Sequence, residues 1–474
     1  MIKKIYDFII RIASNVLFVV FGIMILFSIF IKSVYYFQND SPGFELVNIL
    51  DVLAIFLWGL ILAIFWKFKD WISLHLKKKW IILSFFLTSL LFIIMLPLKP
   101  FSDMEQIYNA ASKVAIGDFS YFANNSYFMQ YPNNILVSLL YGGLLFIFPK
   151  NILTIKILNI LLIIGIAIIS CKIINLIYKN EISNLFYIYS LSFLSVFLYA
   201  NHLYTDILFV FISVLGVYIY LKNDKFIILD YILYSVLYFI RPQAVFYIIA
   251  ITIGYLVKSK NTILRKVINI LLGVSIFFLI NAGFKYGVER VLIGDIDSAM
   301  PVASYVYMAF NEQKFGFQDG LHDLNRTFND VKYRLNSYNF KTVIAIILKK
   351  IQWMWTEGTY QAQRYAFGGD ENGKFLYDTI ISKYCINSKN LWRRFLDSLM
   401  RAQYLWNFGL TLPMFISKKK FKFEIIIMLF AANFIFYIFW EIKSRYILPL
   451  YPFMLIVSFI TCIEITKKIS KKAN

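Results

Sequence analysis

Residues Val47–Pro97 read VNILDVLAIFLWGLILAIFW, then KFKDWISLHLKKK, then WIILSFFLTSLLFIIMLP. The outer two segments are nearly free of charge and approach the roughly 20 residues that a bilayer-spanning helix needs. The middle segment holds five lysines. Two spans around a short basic loop describe an out-and-back crossing, with the loop on the cytoplasmic side because lysine and arginine in short loops stay there. The same alternation recurs along the chain. Basic clusters fall at Lys3-Lys4, Lys67 to Lys79, Lys172 to Lys179, Lys222 to Lys225, Lys258 to Lys266, Lys418 to Lys422 and Lys467 to Lys472, each separated from the next by apolar runs.

Composition agrees with this reading. Of 474 residues, 60% are apolar and 16% charged, against about a quarter charged in soluble chains. The net charge of +21 is distributed by membrane side, so it does not argue for a nucleic-acid partner. Cys171, Cys385 and Cys462 show no paired spacing, and no disulfide framework is expected. His75, His202 and His322 lie far apart without cysteine neighbours, which gives zinc no support. The first apolar run has no small-residue cleavage site and is expected to stay as an anchor. The sequence shows neither a fixed-period repeat nor an inverted pair of broken helices.

Setting every basic cluster in the cytoplasm predicts an all-α polytopic membrane protein of about twelve spans with both termini inside. The spans fall near 9–32, 48–66, 80–97, 152–172, 184–200, 203–221, 226–240, 243–257, 264–283, 396–416, 422–440 and 446–466. The short apolar stretch Ile135 to Phe148, with Gly142-Gly143, is read as lying in or dipping into the outer interface, since a further span would invert every later loop. Residues 1–79 contribute two N-terminal helices, 80–283 a core with a first outer loop at 98–134, 284–395 a long outer loop or small domain, and 396–474 the last helices and a basic tail. Within 284–395, Thr342 to Trp355 reads TVIAIILKKIQWMW, which suits an interfacial helix or one packed in a small outer domain.

This topology brings most of the polar groups near membrane level to one face. Ser102-Asp103-Met104-Glu105 follows the third span and Tyr131-Pro132-Asn133 closes the first outer loop. His202 and Tyr204-Thr205-Asp206 open the sixth span. Arg241-Pro242-Gln243 turns between the seventh and eighth, and Glu441-Ile442-Lys443-Ser444-Arg445-Tyr446 between the last two. Each has a structural reading: Asp206 as a helix-start acid meeting the macrodipole, Arg241 and Arg445 as side chains reaching the headgroups. Outward arginines in tight turns run against the positive-inside rule, so both need an anionic partner, a carboxylate or a lipid phosphate.

In order and sidedness, Ser-Asp-Met-Glu, Tyr-Pro-Asn, Tyr-Thr-Asp, Arg-Pro-Gln and Ser444-Arg445-Tyr446-Ile447-Leu448-Pro449 resemble the GT-C superfamily. These are the multi-pass glycosyltransferases related to protein O-mannosyltransferases and other polyprenyl-phosphate-sugar enzymes. The likeness runs from about Trp80 onward, and the two earlier spans are an addition to the usual core. The acidic motif departs from the adjacent Asp-Glu of the O-mannosyltransferases, which leaves the acceptor class open. The resemblance implies transfer of a sugar, with inversion, from a polyprenyl-phosphate donor to a hydroxyl of a cell-envelope polymer, glycolipid or protein, on the outer face of the plasma membrane. It implies Asp103 as general base with Glu105 in support, Arg241, Arg445, His202 and Lys443 at the donor phosphate, and Tyr131, Asn133, Asp206, Gln243 and Tyr446 around the substrates. No cofactor is expected, although Asp103 with Glu105 could hold a divalent ion. The expected partners are the lipid-linked donor, the envelope acceptor and membrane lipids, with no nucleic acid. Two rivals stand beside this: a polysaccharide polymerase or ligase using a lipid diphosphate, and a lipid or sugar transporter, for which Asp230 is the clearest intramembrane charge.

Overall fold

The computed structural model describes residues 2–36, 40–123, 125–178, 183–223, 227–290, 299–318, 324–365, 375–386 and 391–473. The first apolar run forms α1, Ile2–Ser28. It stops four residues short of the expected 32 because the chain turns there into an antiparallel hairpin, β1 (Ile31–Tyr36) and β2 (Ser41–Leu46), with Ile31 opposite Leu46. Ile31, Val34, Tyr35 and Tyr36 favour extended backbone, and the protein is therefore helical with one small hairpin. Next come α2 (Ile49–Lys67), opened by a capping box between Asn48 and Asp51, α3 (Lys69–His75) and α4 (Lys78–Met95).

The first outer segment holds α5 (Asp103–Val114), α6 (Ser120–Ala123) and α7 (Ser126–Gln130). The apolar stretch expected at the interface is α8 (Asn133–Ile147), packed on α5. Gly142 makes that approach possible: a Cβ there would lie 2.4 Å from Val114 Cγ1. The core continues with α9 (Ile152–Tyr178), α10 (Ser183–Leu191), α11 (Leu194–Leu198), α12 (Asp206–Lys222), α13 (Ile227–Tyr238), α14 (Ala244–Lys258) and α15 (Ile263–Val288). The long segment that follows carries α16 (Val302–Ala309), α17 (Phe328–Asn336), α18 (Phe340–Thr356), α19 (Ala362–Tyr365) and α20 (Ile380–Ile386). The chain closes with α21 (Leu391–Ile416), α22 (Glu424–Ile438), a 3-10 turn at Ser444–Leu450 and α23 (Tyr451–Ala473).

Among the described residues six helices are long and apolar enough to cross a membrane, and four shorter apolar helices accompany them. Among the described residues, the twelve expected spans do not all run as continuous long helices. The expected span 184–200 breaks between α10 and α11 and ends in a 3-10 turn at Tyr199–Asn201. The last one begins as 3-10 helix around Pro449, which lacks the N–H an α-helix requires. Exposure identifies the solvent. Only 6% of the apolar window in α15 is buried, against 94% in the window that contains α23. A 26-residue apolar helix left that open is stable only where the surroundings are themselves apolar. The protein is a helical membrane protein wrapped around α23.

The long segment after α15 buries its tryptophans inside the protein. Trp353 and Trp355 are 0% and 1% exposed, and α18 packs on α1, β1, α21 and α22. Trp353 Nε1 donates to the Val34 carbonyl at 2.6 Å, so β1 seats α18. The hairpin is held in turn by a buried ion cluster. Lys32 Nζ donates to Asp51 Oδ2 at 2.9 Å, while Arg401 Nη1 and Ser398 Oγ donate to Oδ1 at 2.8 and 2.7 Å. That cluster joins the N-terminal helices to α21.

Candidate functional site

The turn Tyr199–Asn201 releases the chain so that His202 and Asp206 sit four residues apart at the start of α12. Their side chains meet: His202 Nε2 lies 3.0 Å from Asp206 Oδ2, and since a carboxylate only accepts, Nε2–H is the donor. Arg241 arrives from the end of α13, where Pro242 disfavours further helix. Its Nη2 is 2.5 Å from Asp206 Oδ1 and its Nε donates to Thr205 Oγ1 at 3.0 Å. Arg445 comes from the 3-10 turn before α23, with Nη1 3.9 Å from Asp206 Oδ2. The anionic partner that the arginines required is therefore the carboxylate of Asp206.

This centre is dry. Asp206, His202, Arg445 and Arg241 are 0%, 1%, 4% and 7% exposed. Two guanidinium groups against one carboxylate leave a net positive charge in a low-dielectric setting, where charge attracts more strongly than in water. Arg241 Nη1, Arg445 Nε and Ser444 Oγ have no hydrogen-bond partner among the described residues. Buried donors without acceptors are costly, and a polyanion set among them would satisfy several at once. Arg445 is the looser of the two arginines, held by aromatic faces: its guanidinium lies 4.6 Å from the Tyr365 ring centre and 4.9 Å from that of Tyr204.

Asp103 stands differently. It is the first residue of α5, after Ser102 at φ 51, and is half-buried. Among the described residues it makes no hydrogen bond or ion pair, yet its charge reaches Tyr127, Tyr131, Tyr204 and Tyr305. Burial first and the Asp103 charge second hold the Tyr131 phenol above its ordinary pKa. The Tyr204 ring carries Arg445, and the Asp103 charge acts on the same phenol. Glu105 is exposed. It lies on the first helical turn and not in a loop as expected, and side chains two apart on a helix do not face each other.

Comparison with known proteins finds no match: no family model, no curated protein and no solved structure aligns with the chain. Function is argued from the residues alone.

Several residues expected at the substrates are also tied into the fold. Gln243 Nε2 donates to the Tyr446 carbonyl at 3.0 Å and to Asn433 Oδ1 at 3.4 Å, and meets the Tyr437 hydroxyl, so its amide donors are already used. Asn133 donates to the Ile240 carbonyl at 3.5 Å and ties the start of α8 to the end of α13. The Tyr446 hydroxyl donates to Glu441 Oε1 at 2.6 Å, and Lys443 Nζ lies 3.3 Å from the same oxygen. Glu441, with the nearby Arg445 opposing, keeps Lys443 above its ordinary pKa despite burial. Asp206 is the anion of the centre, whereas Tyr131 packs beside Tyr127 with ring centres 5.2 Å apart. Tyr365, whose ring also packs at a tilt against His202 with centres 4.9 Å apart, was not legible. Its stretch Gln361-Ala-Gln-Arg-Tyr365 carries only the signal of a polar run after the apolar α18.

Proposed function

We propose that the chain is a GT-C-like membrane glycosyltransferase that moves a sugar from a polyprenyl-phosphate donor to an acceptor hydroxyl on the outer face of the plasma membrane. One observation carries this reading. A half-buried carboxylate without a partner among the described residues, Asp103, acts by its charge on Tyr204, whose ring carries Arg445 of a buried, net-positive centre with unused donors.

Transfer needs both parts. Asp103 accepts the acceptor's O–H proton as that oxygen attacks the anomeric carbon, and the bond from that carbon to the phosphate oxygen breaks. The electron pair leaves with the polyprenyl phosphate, which gains a negative charge as it departs. Arg445, with Ser444 and Lys443 beside it, meets that charge where it develops. Arg241 acts one step back, because its shorter contact with Asp206 commits it to holding the centre together. In-line attack from the face opposite the phosphate gives inversion.

The transporter reading has one observation of its own. Asp230 on α13 is 1% exposed, and neither carboxylate oxygen has a hydrogen-bond partner among the described residues. An intramembrane acid of that kind is a functional candidate. It lies in the first turn of its helix, and among the described residues no cation pairs with it; we favour the transferase.

The test is transfer by purified protein with a polyprenyl-phosphate sugar. Asp103→Asn keeps the shape and removes the base, so transfer should fall by roughly a hundredfold to ten-thousandfold while donor binding persists. Full activity in both Asp103→Asn and Glu105→Gln would remove the mechanism at its centre. Loss of activity in Asp230→Asn alone would point to transport.

A further inference from the structure

The end of the bundle away from Asp206 holds a cavity that the transfer chemistry does not use. Asp206 opens α12 and Lys222 closes it, so the two lie about 24 Å apart at 1.5 Å per residue. There α9, α12, α14 and α22 leave a space of about 380 Å³. Lys222, Lys258 and Lys422 line it, together with Glu424, whose carboxylate pairs with Lys258. Three ammonium groups against one carboxylate leave the cavity positive. Its remaining wall is mostly apolar, with Ile177, Val217, Leu221 and Ile426 beside Tyr220 and Asn223.

A positive mouth over an apolar wall, at the rim of a membrane bundle, is complementary to an amphiphile with an anionic head. We propose that this cavity binds the phosphate of an anionic phospholipid, with Lys222 and Lys422 holding the phosphate oxygens and the apolar wall taking the first chain methylenes. The volume suits a headgroup, since small-molecule sites begin near 300 Å³. Basic pockets between membrane helices on the cytoplasmic side recognise such heads, and the lysine clusters at this end are the ones that the positive-inside rule sets there. Lys258, already neutralised by Glu424, shapes the wall. The site does not depend on the transferase reading.

Native mass spectrometry of the purified chain in neutral detergent tests it, with phosphatidylglycerol, phosphatidylcholine and inorganic phosphate as separate probes. Phosphatidylglycerol should be retained over phosphatidylcholine. The double variant Lys222→Gln/Lys422→Gln should weaken its binding at least tenfold, as loss of charge-assisted contacts does, and Lys222→Arg/Lys422→Arg should keep it. The control Lys77→Gln/Lys79→Gln removes the same charge at the same end outside the cavity and should change binding little. Equal losses in the two Gln doubles would reduce the effect to general surface charge and overturn the site. Inorganic phosphate bound as tightly as the lipid, with the same sensitivity to Lys222 and Lys422, would overturn the lipid as occupant.

Discussion

At the scale of single residues the two outward arginines, alike in sequence, part company. Arg241 sits 2.5 Å from Asp206 and Arg445 3.9 Å, so one belongs to the fold and the other is free to serve a ligand. Arg445→Gln should lower donor affinity at least tenfold, because a hydrogen bond to a charged group contributes about 1.5–3 kcal/mol; titration of the lipid-phosphate donor against purified variant measures this. Arg241→Gln should act on stability instead. It strips a fully buried carboxylate of its nearest cation, and breaking such a pair costs about 3–5 kcal/mol. Thermal unfolding in detergent should show the loss, and adding Asp206→Asn should restore part of it by removing the stranded charge. Full recovery of donor binding in that double variant would contradict the assignment of Asp206 as the anion that organises the centre.

At the scale of elements, the hairpin joins parts that are far apart in sequence. Lys32 at its start and Asp51 on α2 meet Arg401 on α21. Asp40, at the far end of the hairpin loop, pairs with Arg364, the neighbour of Tyr365 at the site. Asp51→Ala would leave Arg401 buried without its carboxylate and Lys32 with only the partly exposed Glu45 at 3.4 Å, and should destabilise by about 3–5 kcal/mol, read as a lowered unfolding temperature; an unchanged one would mean that the cluster is solvated. A second brace is Lys350 on α18. Its ammonium donates to the carbonyls of Ala309, Ile438 and Trp440 at 2.9, 3.1 and 3.0 Å, and so closes the ends of α16 and α22. Lys350→Met keeps the stem and orphans three buried acceptors, at about 1–3 kcal/mol for each that water cannot reach. Neither brace was visible beforehand. Lys32 sat at the edge of an apolar run and read as part of the first span, and the Lys349-Lys350 pair read as the polar face of an interfacial helix.

At the scale of the whole molecule, the basic clusters and the candidate site occupy opposite ends of the bundle, as Lys222 and Asp206 do on α12. A cysteine at Lys420 should resist an impermeant thiol reagent in intact cells, and one at the exposed Glu105 should react. Labelling at Lys420 would invert the topology and take the outer-face assignment with it. That the chain is helical and lives in a membrane was legible from sequence alone, because apolar length and charge spacing are local properties that add along the chain. The order of the polar turns was equally local, and it named Asp103, His202, Asp206, Arg241 and Arg445 before any fold was known. Which of them touch was decided only in three dimensions. Asp206 and Arg241 are 35 positions apart in the sequence and Asp206 and Arg445 far more, and pairing across such separations depends on how α12, α13 and the turn before α23 pack. The same packing broke the expected span at Leu191, drew Trp353 and Trp355 inward, and left Asp103 with no partner among the described residues. Burial is a property of neighbours, and in this chain the neighbours come from distant sequence.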